Sequence, residues 1–227
     1  MAVDKRIQEL LDHYRDMHIV KETEEYTEIF GNVHIHRSID QYVLNRNYEL
    51  SVFIPVSDGS LPYVIDRSGS IEKDYSHRYH DGMLCLATEI DMVLEFEKDP
   101  SLVNWMQRFV ETYYVIYEYY KRYGEYPEGD RAHGEDGIVQ SYMDIFSVDG
   151  PHAVYLLNEI VYETYRGHHP CPCDSGKRLR NCHGEMVLRF KKQPMLLKQA
   201  TKDYQMLLQR YIDECSKQQR NTGKTEY

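Results

Sequence analysis

No apolar run in this chain approaches the roughly 20 residues that a membrane-spanning helix requires. Nor does it open on a charged-then-apolar leader, so it is expected to fold and stay in the cytoplasm. Cysteine is scarce: five residues, three of them crowded into one short stretch and none in the spacing of a disulfide scaffold, which suits a reducing compartment. Positive charge is short as well. With 27 Lys and Arg against 37 Asp and Glu, the formal net charge is −10, which argues against nucleic acid as the main partner. Internal repeats are missing too. What remains is a chain of 227 residues, enough for one core of ordinary size plus an appendage.

The three crowded cysteines carry the strongest signal. Cys171, Cys173, Cys182 and His183 supply three soft sulfurs and an imidazole within 13 residues, a complete tetrahedral shell for zinc. Cys171-Pro172-Cys173 lets two thiolates grip one ion, a turn through Ser175-Gly176 brings the chain back, and Cys182-His183 closes the shell. Four protein ligands leave no coordination position for water, so the metal is expected to be structural. The alternative, a disulfide pair with a spare thiol, needs an oxidising compartment. Lys177, Arg178, Arg180, Arg189, Lys191 and Lys192 form a local basic cluster. It either offsets the negative charge of a three-thiolate site or meets an acidic surface.

These ligands, the Pro between the first two cysteines, the Ser175-Gly176-Lys177 turn, the basic run and the closing Gly184 resemble the SEC-C motif, the zinc module at the tail of the SecA translocase. That resemblance implies that the module docks another protein.

Ahead of the motif the periodicity is mixed. Ile7, Leu10, Leu11, Tyr14 and Met17 predict an amphipathic helix from Asp4 to about His18. Val33–His36, Tyr48–Val56 and Leu61–Asp66 read as strands of an antiparallel meander, the last after an Asp58-Gly59-Ser60 turn. A polar stretch from Arg67 to Asp81 leads to Met83-Leu84-Cys85-Leu86-Ala87. Beyond Pro100, capped by Asp99 or Ser101, a long helix carries Leu102, Trp105, Met106, Phe109, Val110, Tyr113, Ile116, Tyr117 and Tyr120 to Gly124. Its aromatic stripe reads as core. A short helix from Gly137 to Phe146 follows, then one opened by Pro151 and ended by Gly167, and a last amphipathic helix from Pro194 to about Cys215. Cys215 itself reads as packing, and the polar end of the chain as disordered.

Helix, meander, a loop bearing His77, then Gly82-Met83-Leu84-Cys85-Leu86 and a long helix is an element order that resembles the ubiquitin-conjugating (UBC-like) superfamily. The specific likeness lies in His77 to Leu86, and the helix from Trp105 to Tyr120, followed by Gly124-Glu125-Tyr126-Pro127 and His133-Gly134, looks more like the divergent bacterial members, which occur in antiviral defence operons. The resemblance implies that Cys85 is a nucleophile taking an activated ubiquitin-like C-terminus as a thioester, with His77 as the loop histidine; His133 is a further candidate that the fold could bring close. It departs from the family at one point. The His-Pro-Asn triplet is absent, since Arg78 and Tyr79 follow His77, which leaves His80, Tyr79 or backbone nitrogens near Gly82 to steady the oxyanion. Read on residues alone, Cys85 between two leucines is also an ordinary core cysteine.

The expected architecture is therefore α+β. A UBC-like domain fills residues 1–150, a connecting helix 151–167, the zinc module 168–190, a C-terminal helix 194–216 and a disordered tail 217–227. The leading expectation is a transferase-type carrier with a zinc module for docking. Its partners would be a ubiquitin-like modifier, its activating enzyme and another protein at the module. The alternative is an inactive UBC-like and SEC-C adaptor, and a third is a hydrolase using Cys85 and His133.

Overall fold

A computed structural model describes residues 4–56, 60–127, 132 and 134–222. The chain divides into two compact units, Met1–Asp130 and Arg131–Tyr227, and its class is α+β.

The first unit opens with α1 (Lys5–His13), whose N-terminus is capped by the Asp4 carboxylate accepting from the Arg6 N–H. Ile7 and Leu10 face the core. The expected continuation to His18 does not occur, because Tyr14 leaves helical dihedrals at φ −104°, ψ 78° and Met17 already belongs to a strand. Four strands follow: β1 (Met17–Glu22), β2 (Tyr26–Ile39), β3 (Tyr42–Pro55) and β4 (Tyr63–Asp66), all antiparallel in the order β1-β2-β3-β4. The meander expected from the sequence is present with one strand more. Asp58 and Gly59 of the expected turn lie outside the described residues. Strand alternation puts Ile29, Val33 and Ile35 of β2 beside Tyr48, Leu50 and Val52 of β3 on the buried face.

Two helical segments complete this unit. α2 (Glu89–Lys98), unanticipated from the sequence, starts at Thr88, whose hydroxyl accepts from the Asp91 N–H. The long helix has three parts: α3 (Leu102–Trp105) behind a Ser101 cap, a π-helical turn (Met106–Glu111), and α4 (Thr112–Tyr123), stopped by Gly124 in the left-handed region at φ 75°. Trp105, Tyr114 and Tyr117 are almost fully buried, so the aromatic stripe is core as expected.

The π turn carries polar cargo. Arg37 of β2 donates from Nη2 to the Gln107 carbonyl at 2.9 Å and from Nε to the Glu111 carboxylate at 2.7 Å, and Tyr14 donates its hydroxyl to Glu111 at 2.7 Å. Burial and the Glu111 carboxylate push the Tyr14 phenol well above its usual range, so this hydroxyl stays a donor. Glu111→Ala strands the buried Tyr14 hydroxyl and takes the carboxylate from Arg37, which keeps the Gln107 carbonyl. The expected loss is about 2 kcal/mol, the partial exposure of Arg37 reducing it below that of a fully buried pair. Equilibrium urea unfolding measures it, and a loss below 0.5 kcal/mol, about the noise of such a measurement, contradicts the assignment.

The second unit is helical: α5 (Gly134–Phe146), α6 (Gly150–Val161), a 3₁₀ turn (Leu179–Asn181), α7 (Gly184–Lys192) and α8 (Pro194–Thr222). α5, which the sequence reading counts with the first domain, lies within it. Asp149 caps α6 by accepting from the His152 N–H. α6 stops at Val161, short of Gly167, and Lys191 donates to the carbonyls of Ile160 and Glu163 at 2.7 Å each, satisfying groups the helix end leaves open. Leu156, Leu157, Ile160, Val187, Phe190 and Leu196 build an apolar core. Within it Asp203 accepts from the Tyr142 hydroxyl at 2.9 Å and from the Gln199 amide at 2.8 Å. α8 runs to Thr222, past its expected end near 216. Of the expected tail, 223–227 lie outside the described residues.

Candidate metal centre and thiol site

Backbone hydrogen bonds fold the metal motif into a tight hairpin. The N–H groups of Arg180, Leu179 and Cys171 donate to the carbonyls of Gly167, His169 and Lys177 at 3.0, 2.9 and 2.8 Å. The 3₁₀ turn then returns Cys182, and His183 ends at the start of α7. Four ligand atoms from Cys171, Cys173, Cys182 and His183 consequently lie within 4.8 Å of one another. Cys171 Sγ is 3.2 Å from His183 Nδ1, Cys182 Sγ is 3.4 Å from the same nitrogen, and Cys173 Sγ is 3.5 Å from Cys182 Sγ.

Those separations suit a metal. Four ligands about 2.3 Å from one ion stand about 3.7 Å apart along the tetrahedron's edges, close to what is seen. A disulfide needs sulfurs about 2.05 Å apart, and all five cysteines are free thiols. The imidazole is oriented for ligation: His183 Nε2 is 2.8 Å from the Phe146 carbonyl, an acceptor only, so Nε2 carries the proton and Nδ1 keeps its lone pair for the metal. Ser175 Oγ sits 3.2 Å from Cys173 Sγ and 3.4 Å from Cys182 Sγ, a hydroxyl supporting two sulfurs. Burial pushes the Cys171 thiol up to about 11. Burial acts upward on Cys173 too, but its hydrogen bonds with Ser175 and with its neighbouring cysteines outweigh that and bring it down to about 6.

The hairpin is continuous with the helical core. Cys171 and Leu179 are buried, and the Phe146 ring packs on His183 and on Phe190 at centroid distances of 6.5 and 5.8 Å.

The thiol site lies between β4 and α2. Leu84 N–H donates to the Val64 carbonyl at 2.9 Å, and Met83 pairs with Ile65, so this segment lies along the edge of the meander. It then folds back on itself: Arg78 pairs with Leu84, and Tyr79 N–H donates to the Met83 carbonyl at 2.9 Å. Leu84 is buried whereas Cys85 is half-buried, so the two neighbours face different surroundings. The Tyr79 hydroxyl donates to Cys85 Sγ at 3.5 Å.

His77 stands next to Cys85 through its backbone. Its carbonyl accepts from the Cys85 N–H at 2.8 Å and from the Tyr113 hydroxyl at 3.0 Å, while its ring packs beside Tyr75 and Tyr126 at 5.4 and 5.5 Å. His80 is exposed. His133 lies outside the described residues, and Cys215 is half-buried on α8, hydrogen-bonded to Tyr211. The sequence marks Ser175 only as a turn residue and Tyr113 only as part of the apolar stripe, and gives the Phe146 carbonyl no role. Nothing there could have revealed the last, since a backbone carbonyl has no residue signature. No helix among the described residues is long and apolar enough to cross a membrane.

No family model, curated protein or solved structure matches this chain.

Proposed function

We propose that this protein is a UBC-like carrier whose Cys85 accepts an activated protein C-terminus, such as that of a ubiquitin-like modifier, as a thioester. In this reading a zinc ion held by Cys171, Cys173, Cys182 and His183 shapes a SEC-C-like module that docks a partner protein. The observation that carries the reading is the position of Cys85: a half-buried thiol with a hydroxyl at its sulfur, at the edge of a four-stranded meander that follows a first helix and precedes further helices. A core cysteine would share the burial of Leu84. An accessible sulfur is what nucleophilic chemistry requires.

The loading step is a thiol exchange. Cys85 Sγ attacks the carbonyl carbon of the donor thioester, the donor's carbon–sulfur bond breaks, and the donor leaves as a thiolate that takes up the proton Cys85 gives to solvent. Zinc, when bound, supplies a folded module, since four protein ligands leave it no site for substrate.

A synthetic peptide thioester ending in Gly-Gly, mixed with the full metal-replete chain, tests this. Intact-mass analysis and peptide mapping are expected to find the peptide on Cys85 as a reductant-sensitive adduct, lost in Cys85→Ala and replaced by a reductant-resistant ester in Cys85→Ser. Equal loading of Cys85→Ala would remove the carrier reading and leave the adaptor.

A further inference from the structure

We propose that Tyr79 is a catalytic residue of this thiol site, its hydroxyl being the donor that stabilises the oxyanion formed when an acyl group enters or leaves Cys85. The inference rests on the carrier reading and answers the question that reading leaves open, because the chain has no asparagine in the loop beside the cysteine. It starts from the side-chain hydrogen bond that Cys85 receives among the described residues: Tyr79 Oη to Sγ at 3.5 Å.

The hairpin holds the phenol in place. Tyr79 is tied at its backbone on both sides of a tight turn, its N–H donating to the Met83 carbonyl at 2.9 Å and its carbonyl accepting from the Gly82 N–H at 3.0 Å. The Asp81 carboxylate accepts from the Met83 N–H at 3.0 Å and closes the same turn, in which Gly82 adopts φ 90°. Arg78 and Leu84 are paired across the hairpin, so Tyr79 and Cys85 are diagonal neighbours on its two arms, a separation that an aromatic side chain spans. Cys85 is fixed as firmly, its N–H bonded to the His77 carbonyl, which Tyr113 also holds. A phenol that reaches the sulfur also reaches the carbonyl oxygen of an acyl group on it, which is only two bonds further out.

The chemistry then closes without another reagent. In discharge, the nitrogen of an incoming amine forms a bond to the thioester carbonyl carbon, and the carbonyl π pair moves onto oxygen. The Tyr79 O–H donates a hydrogen bond to that oxyanion. Collapse restores the carbonyl, breaks the carbon–sulfur bond and leaves the pair on Cys85 Sγ, which the same hydroxyl then solvates as it does in the free protein. The surplus proton of the amine passes to water. Loading runs through the same tetrahedral species with a thiolate as the incoming group. Donors placed where charge develops are worth about 10²–10³ in rate when buried. Tyr79 is 52% exposed, so water competes and an effect of about tenfold is expected.

The test separates acyl chemistry from thiol chemistry. Alkylation by iodoacetamide displaces iodide at an sp³ carbon and forms no oxyanion, whereas exchange with the Gly-Gly peptide thioester and discharge to free lysine both do. Tyr79→Phe, which keeps the ring and removes only the hydroxyl, is expected to slow loading of and discharge from Cys85 about tenfold while alkylation of Cys85 stays within about twofold of wild type. Unchanged acyl rates would overturn the assignment and leave the carrier reading standing. Acyl and alkylation rates that fall together would also overturn it, since Tyr79 would then act on the thiol itself. A wild-type chain that alkylates at Cys85 yet takes no peptide there would overturn both.

Discussion

Stripping a metal ion from Cys171, Cys173, Cys182 and His183 is expected to loosen the second unit while the sheet of the first keeps its protection from amide exchange. Metal binding contributes about 10–16 kcal/mol in zinc-finger peptides, where it supplies the whole fold. Here the ligand hairpin shares its core with helices, so the apo unit keeps some helix and loses fixed packing. The buried residues at risk are Cys171, Leu179, Val187 and Phe190, together with the Phe146 corner that His183 joins. Hydrogen exchange with and without a strong chelator should show α7 and the C-terminal end of α5 losing protection, and β2 and β3 unchanged. Full protection in the chelated protein would mean that the four residues hold no structural ion. Cys171→Ser is expected to be more damaging than Cys173→Ser, because Cys171 is only 5% exposed and its replacement buries a hydroxyl where a thiolate ligand belongs.

Acid should release the metal. Binding requires deprotonated thiols, so each proton that must be displaced lowers apparent affinity as pH falls. The Cys171 thiol, pushed up to about 11 by burial, is protonated at every pH below that without metal. Cys173, brought down to about 6, adds its proton only as pH drops through that value. Affinity therefore falls with pH throughout the range below about 11, and falls more steeply below about pH 6, a trend that a colorimetric zinc indicator follows directly.

Gly31→Ala is expected to be among the most damaging single-methyl additions in the first unit. A Cβ at this position would stand 2.1 Å from the Asp16 carbonyl oxygen and 2.6 Å from Met17 Cα. Both are backbone atoms, and Gly31 faces Met17 in the β1–β2 register, so no side-chain rotation relieves the clash. β1 must move off β2, carrying with it the end of α1. We expect a loss of about 3 kcal/mol in urea unfolding, with native-state exchange opening first along β1. A loss under about 0.5 kcal/mol, the reach of ordinary surface substitutions, would show that β1 is not held as described.

Much of this was legible in the sequence where the pattern is local. The ligand spacing from Cys171 to His183 announced the metal cluster, and the apolar spacing from Leu102 to Tyr120 announced the long helix, although its π turn left no mark. β1 was hidden because Met17 continues the helical spacing of Ile7, Leu10 and Tyr14, and only the dihedrals of Tyr14 end the helix. α2 could have been found: Thr88 followed three residues later by Asp91 is a capping pattern. β2 runs well beyond Val33–His36, and its extent is masked by polar outward positions such as Asn32 and Ser38, which lower strand propensity without preventing pairing. Contacts between distant residues stay out of reach of any such reading. Tyr14 and Glu111 are 97 positions apart, and nothing at either position names the other.

The bond from His183 to the Phe146 carbonyl joins two equilibria that would otherwise be separate. A ligand that binds better when α5 is docked must, by thermodynamic reciprocity, dock α5 better when it is bound, and by the same factor. Substitutions at Phe146 or at Phe190, neither of which belongs to the Cys/His cluster, are therefore expected to alter how tightly that cluster holds an ion. The close of α5 becomes a gauge of whether the four ligands are occupied.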